Sequence, residues 1–132
     1  MKFFQTVMEI RSRAGVLHFR RFAIFQFSWI ALYIHTIFQP DRDDHLHSHP
    51  WNFFTVVLRG SYMALGRRGR EMKEPGSISW MTRAGFHKIE EIIHGPVTTL
   101  FLTVGRPQTW YYLVDGVRID SDTYRKIKKR DP

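Results

Sequence analysis

Turn signals cut this chain into short pieces, and that spacing constrains its fold more than anything else in it. Clusters of glycine, proline and aspartate recur at Gln39-Pro40-Asp41-Arg42-Asp43-Asp44, Arg59-Gly60-Ser61, Gly66 to Gly69, Glu74-Pro75-Gly76 and Asp115-Gly116. The runs between them are rich in aromatic and β-branched residues, which suit a pleated, half-buried surface. They read as strands at Leu17–Gln26, Trp29–Phe38, His47–Leu58, Tyr62–Leu65, Ser77–Met81, His87–Ile93, Val97–Val104 and Thr109–Val114. Many short strands joined by tight turns specify an all-β sandwich or barrel. The two ends read differently. Phe3, Phe4, Val7 and Met8 share one helical face, which predicts a short amphipathic helix over about 1–14, ending before Gly15. Ser121 or Asp122 is placed to cap a basic C-terminal helix over about 121–130, around Tyr124 to Lys129.

A chain of 132 residues suits a single domain, 1–132, with one core. Hydrophobic residues at 43% and aromatics at 15% supply that core and exclude global disorder. The absence of cysteine excludes disulfides, zinc–thiolate sites and cysteine nucleophiles, and it suits a reducing, cytoplasmic setting. Met1 to Arg13 shows no apolar run or small-residue cleavage site of a secretory leader. Phe22 to Phe38 is the most apolar stretch, but Gln26, Ser28 and His35 interrupt it and it is too short for a membrane span. The formal charge of +8 favours anionic ligands or nucleic acid. The positive charges are dispersed, though, and aromatic residues are not interleaved with them as in a base-stacking platform.

Chemistry concentrates in His47-Ser48-His49-Pro50-Trp51. Side chains at i and i+2 of an extended strand share a face, so His47 and His49 aim two imidazoles at one point. The run from Pro75-Gly76 to Phe86-His87 supplies a third, His87. Three neutral imidazoles can hold a divalent transition metal with coordination positions left open. The alternative is three hydrogen-bonded polar residues in a pocket. The strand itself is apolar on both faces, with Trp51, Phe53, Thr55 and Val57 on one and Phe54, Val56 and Leu58 on the other. One face is expected to line a barrel. The other is expected to meet a second sheet, the terminal helix or a partner subunit, so a homodimer is plausible.

These residues resemble the two motifs of the cupins, G-x5-H-x-H-x3-4-E-x6-G and G-x5-P-x-G-x2-H-x3-N. His47, His49 and Gly60 match the first; Phe53 stands at the glutamate and Asp41 at the opening glycine. Gly76 and His87 match the second, while Thr82, Ala84 and Glu91 replace its proline, glycine and asparagine. The chain also resembles a set of small uncharacterised cupin-like proteins of phages and bacteria. The shared runs are Leu46-His47-Ser48-His49-Pro50-Trp51-Asn52-Phe53 to Leu58-Arg59-Gly60-Ser61-Tyr62, then Pro75-Gly76-Ser77 through Ala84, His87, Ile89 and Glu90, and Thr99-Leu100-Phe101 through Gly105, Arg106 and Trp110. The resemblance implies a double-stranded β-helix, the cupin or jelly-roll barrel, with the histidine site inside it. It also implies that losing the glutamate at Phe53 leaves three neutral ligands, so a bound Fe, Mn, Ni or Zn ion keeps its full charge and favours a small, chelating anion. Cupins with three histidines and no glutamate include thiol dioxygenases, which is an analogy of fold. A decayed, weakly binding site is the other implication.

Around this centre, Trp51, Phe53 and Tyr62 are expected to line the pocket, and Arg42, Arg83 and Arg106 are candidates to pair with an anionic substrate. Glu91 and Tyr62 are the candidates for a catalytic group, although Glu90 and Glu91 also read as a solvated strand end. His35, in an apolar strand, reads as a core residue or as one that orients a ligating imidazole. His45, beside Asp43 and Asp44, reads as a surface residue, as do His18 and His94. The sequence thus points to a metal-dependent enzyme acting by oxygen activation or Lewis-acid chemistry. A non-catalytic ligand-binding cupin or sensor is the alternative, and a basic, nucleic-acid-associated phage accessory protein is the least supported reading.

Overall fold

The structure is a computed structural model, and it describes residues 1–41 and 45–130, with backbone only for 128–130. Ten strands and one helix follow in chain order. They are β1 (Lys2–Arg11), β2 (Leu17–Gln26), β3 (Ile30–Ile37), β4 (Leu46–His47), β5 (Asn52–Gly66), β6 (Gly69–Lys73), β7 (Ile78–Met81), β8 (His87–Val104), β9 (Tyr111–Val114), β10 (Val117–Asp120) and α1 (Ser121–Arg130). Every pairing is antiparallel. The order runs β1-β2-β3-β8-β4-β9-β10, and β5 pairs with β6, β7 and β8.

The two long strands turn this sheet into a barrel. The second half of β8 lies between β3 and the first half of β5, with Phe101 opposite both Tyr33 and Thr55. The first half of β8 lies between β4 and the second half of β5, with His87 opposite both His47 and Gly66. The bend falls at Gly60, where the β5–β8 register shifts and φ is +79°. A Cβ there would stand 2.6 Å from the His94 carbonyl oxygen and 2.7 Å from that of Pro96. Close backbone approach in a left-handed conformation is a role only glycine fills without strain. The expected turn at Arg59-Gly60-Ser61 is therefore a bulge inside one strand, and the expected break between Ile93 and Val97 is likewise absent.

Inward and outward residues alternate as a two-residue period requires. Ala31, Tyr33, His35 and Ile37 on β3, Phe53, Thr55 and Val57 on β5, and Val97, Thr99, Phe101 and Thr103 on β8 are all buried. They form two apolar clusters, one around Tyr33, Phe53 and Phe101 and one around Ile37, Val57, Tyr62 and Val97. The outward face of β5 is not covered among the described residues: Phe54 is 42% and Leu58 47% exposed.

Three sequence expectations need correction. The N-terminal segment is strand β1, not a helix. Its register against β2 shifts between Thr6 and Met8, so Gln5 opposes Ala23 and Met8 opposes Arg21. A bulged strand brings residues three apart to one face, and in sequence that spacing imitates a helix. The strand expected over His47–Leu58 is split, because Ser48–Trp51 leaves the ladder. Pro50 has no N–H to give it, and the Ser48 Oγ instead accepts the Tyr111 N–H at 2.9 Å. The C-terminal helix forms, but its cap is Asp120, whose Oδ2 accepts the Thr123 N–H at 3.1 Å; neither Ser121 nor Asp122 holds that position. Hydrogen bonds from the Thr123 side chain and backbone lower the Asp120 pKa. Among the described residues no helix is long and apolar enough to cross a membrane.

Candidate metal centre

Two strands and the segment between β4 and β5 deliver the three histidines. His47, on β4, sits opposite His87 at the start of β8 and opposite Tyr112 of β9. His49, two residues on, reaches the same side, and its Nε2 lies 2.6 Å from the Nε2 of His87. One ligand nitrogen from each of His47, His49 and His87 falls within 4.8 Å of the others. Two nitrogens bound side by side at ~2.1 Å to one ion are about 3 Å apart, so small side-chain rotations bring this set to coordination geometry. Burial, reinforced by the neighbouring imidazoles, lowers the pKa of His49 well below its ordinary value. Burial, with His47 and Lys73 beside it, takes His87 down to about 3. Both rings are therefore neutral near pH 7, the form in which imidazole donates to a metal. The residues present fit a divalent transition metal.

Aromatic rings wall the centre. Trp51 stacks on His49 at 6.0 Å between ring centres, and Phe53 meets the same ring edge-on at 4.8 Å. Phe53 in turn stacks on Phe101 at 4.5 Å. Trp110 lies 6.1 Å and Tyr112 5.9 Å from His47, and Tyr112 stacks on Tyr124 of the C-terminal helix at 3.8 Å. Tyr124 also holds His45, whose Nδ1 is 2.9 Å from its hydroxyl, so that histidine is tied to α1 and is half-buried. The site opens into a cavity of about 1420 Å³. Tyr62 lines it, and burial, with Asp41 and Glu71 nearby, pushes its phenol up to about 12.

The structure gathers His47, His49, His87, Trp51, Phe53 and Tyr62 as the sequence suggests, but not Glu91, Arg83 or Arg106. Glu91 is exposed and does not line the cavity. Strand parity misled here, because the β5–β8 ladder is bulged between His87 and Glu91. Arg106 is exposed and lies over the Trp29 ring at 5.4 Å, while Arg83 lines a separate depression beside Gly105. Arg42 lies outside the described residues. His35 is buried and lines the cavity, and its Nε2 accepts a hydrogen bond from Arg21 Nε at 3.0 Å. His18 lines the cavity too, and is half-buried where a surface position was expected. The sequence reading missed Arg21, Phe101, Thr99 and Trp110, all of which line the cavity.

No protein-family model matches the chain, and neither does any curated protein. Solved structures do. A sugar phosphate isomerase from a cupin superfamily, from Silicibacter pomeroyi, aligns over 79% of this chain and 77% of its own, with a TM-score of 0.59 at 15% identity. The fold is that of the cupins. The polyketide cyclase RemF from Streptomyces resistomycificus shares this cupin fold over 84% of this chain and 79% of its own, with a TM-score of 0.62 at 14% identity. Fe(II)-HppE, solved with an alternative substrate, aligns over 74% of this chain but only 55% of its own, with a TM-score of 0.53 at 14% identity. At such identities the likeness is one of fold. In such a barrel residues of one parity on a strand point inward, which accounts for His47 on β4 and His87 on β8.

Proposed function

We propose that this cupin is a metal-dependent enzyme acting on a small anionic molecule. The observation that carries this reading is the convergence of His47, His49 and His87, the last two neutral by burial, on one point of an open cavity. The three imidazoles would hold a divalent Fe, Mn, Ni or Zn ion. When bound, the ion supplies Lewis-acid polarisation or oxygen activation. Among the described residues no carboxylate joins the three histidines, because Phe53 packs edge-on against His49. The donor set is uncharged, which favours an anionic ligand on electrostatic grounds. Trp51, Phe53 and Phe101 exclude water from one side of the centre. Tyr62 keeps its proton at any physiological pH and is a hydrogen-bond donor to a ligand in the cavity. The names of two structural neighbours, a sugar phosphate isomerase and an Fe(II) protein, support both the anionic substrate and the metal.

A second reading, a ligand-binding cupin without chemistry, differs in whether the bound metal has a free coordination position. Anaerobic loading with Fe(II) followed by nitric oxide separates the two. An enzyme of the proposed kind gives the high-spin iron–nitrosyl EPR signal, and His47→Ala/His87→Ala does not. Iron that binds stoichiometrically yet gives no nitrosyl signal would favour the binding module.

A further inference from the structure

Arg21 is a half-buried charged group lining the barrel cavity, with no counter-charge among the described residues. It lies on β2, opposite Met8 of β1 and His35 of β3. Its guanidinium carbon sits 4.7 Å from the centre of the Tyr33 ring, 5.5 Å from that of Trp51 and 5.9 Å from that of Phe19. Its Nε donates to His35 Nε2 at 3.0 Å. No bond to either terminal amino group is found among the described residues, and no carboxylate pairs with it there; the ion pairs are Arg11–Glu9, Arg70–Glu90 and Lys73–Glu71. Two carboxylates do line the cavity, but both are engaged. Asp41 accepts the Ile89 N–H at 2.7 Å, and Glu71 pairs with Lys73 at 3.2 Å. Aromatic faces stabilise a guanidinium, but they do not satisfy its N–H groups. A charge withdrawn from water is ordinarily paired.

A second polar group in the same place also lacks a partner. Thr99 is 1% exposed, lines the cavity, and stands opposite His35 in the β3–β8 ladder. Its Oγ1 has no hydrogen-bond partner among the described residues. Such a group costs stability unless something arrives to bond it. Trp51 connects this wall to the histidines, since it lies against both the Arg21 guanidinium and the His49 ring.

We infer that Arg21, with Thr99, is the oxyanion anchor of the cavity. It would hold the carboxylate or phosphate of a small ligand whose other end, a hydroxyl or carbonyl oxygen, reaches the three-histidine centre. The guanidinium offers two parallel N–H donors, the fork that suits either oxyanion. His35 fixes its orientation by taking Nε. The inference rests on the proposed function for the ligand's far end, but the anchor itself needs no metal. It places the recognition charge on β2, on the barrel wall, and not at the exposed Arg106.

The test uses the full chain, metal-free and Co(II)-loaded, with isothermal titration calorimetry as the readout. The probes are lactate, its neutral isostere lactamide, and inorganic phosphate. Binding of lactate or phosphate, with lactamide at least tenfold weaker, is expected; which anion binds more tightly separates a carboxylate from a phosphate ligand. Arg21→Gln should lose at least tenfold in anion affinity, and Arg21→Lys should lose less. Thr99→Val, which nearly preserves shape, should lose a few-fold in anion affinity with a melting temperature equal to or above the parent's, since it removes an unpartnered buried hydroxyl, and so stands in if Arg21→Gln folds poorly. Co(II) uptake should be the same in all four proteins. Anion binding that is equal in parent, Arg21→Gln and Thr99→Val, or lactamide binding as well as lactate, would overturn the anchor. A parent that takes up no Co(II) but binds anions through Arg21 would sink the metal reading and leave the anchor standing.

Discussion

At the scale of single residues, Phe53 and His35 carry the sharpest expectations. Phe53 touches His49 where a fourth ligand would stand. Phe53→Glu should therefore tighten metal binding by tenfold or more, since a carboxylate adds both a donor and a charge. It should also lower the melting temperature of the metal-free protein, because it buries an acid against Phe101. Metal titration beside a thermal melt reads both effects, and unchanged affinity would mean that position 53 does not face the metal. Burial, and the Arg21 charge beside it, hold the pKa of His35 well below its ordinary value. The unfolded chain takes up a proton near pH 6.5 while the folded protein does not. His35 therefore contributes stability above about pH 6.5, and that stability is lost progressively as pH falls below it, at up to about 1.4 kcal/mol per pH unit. His35→Gln keeps an acceptor for Arg21 and removes the titration, so its unfolding free energy should fall less steeply between pH 7 and pH 5. An unchanged slope in chemical denaturation would refute this. The histidine triad was legible because the i, i+2 rule survives even where the chain leaves the sheet at Ser48. Arg21 was not legible, because beside Arg20 it reads as one of many dispersed surface charges. Only its parity with Phe19 and Ala23 marks it as inward, and that becomes evident once β2 is known to be a barrel wall.

At the scale of elements, the barrel depends on two long strands that bend without breaking. Gly60 makes the bend possible. Gly60→Ala places a Cβ 2.6 Å from a backbone oxygen, at a φ of +79°, and should cost about 2–3 kcal/mol. Denaturant unfolding checks this, and a loss below about 0.5 kcal/mol would show that the crossing relaxes easily. Turn chemistry was read correctly where two glycines or Asp-Gly close a hairpin, as at Gly66–Gly69 and Asp115-Gly116. It failed at Gly60 because a bulge glycine and a turn glycine look alike in sequence. It failed again at β1, where a bulge and Phe4 at a φ of 45° scramble the alternation that marks a strand.

For the whole molecule, the chain itself covers the inner face of β5, and among the described residues nothing covers the outer one. Outward side chains form two apolar rows across the hydrogen-bonded strands. One runs Ile78, Val56, Leu100, Ile34, Phe22, and the other Trp80, Phe54, Leu102, Leu32, Phe25. Neither row contains a charge, and Ile78 is 70% exposed. Sheet faces of this kind ordinarily pack against another sheet at ~10 Å. A second copy of this chain, presenting the same face, is the proposed occupant. Light scattering at micromolar concentration should show a dimer, and Phe54→Asp a monomer; a monomeric parent would count against a second copy.

The most direct measurement for the whole reading is metal content by inductively coupled plasma mass spectrometry. It would use untagged protein purified without added metal, beside His47→Ala/His87→Ala. About one equivalent of iron, manganese, nickel or zinc, absent from the double variant, is the expected result. No metal in either protein, and none taken up on titration, would contradict it and leave the three histidines as polar residues of a ligand pocket.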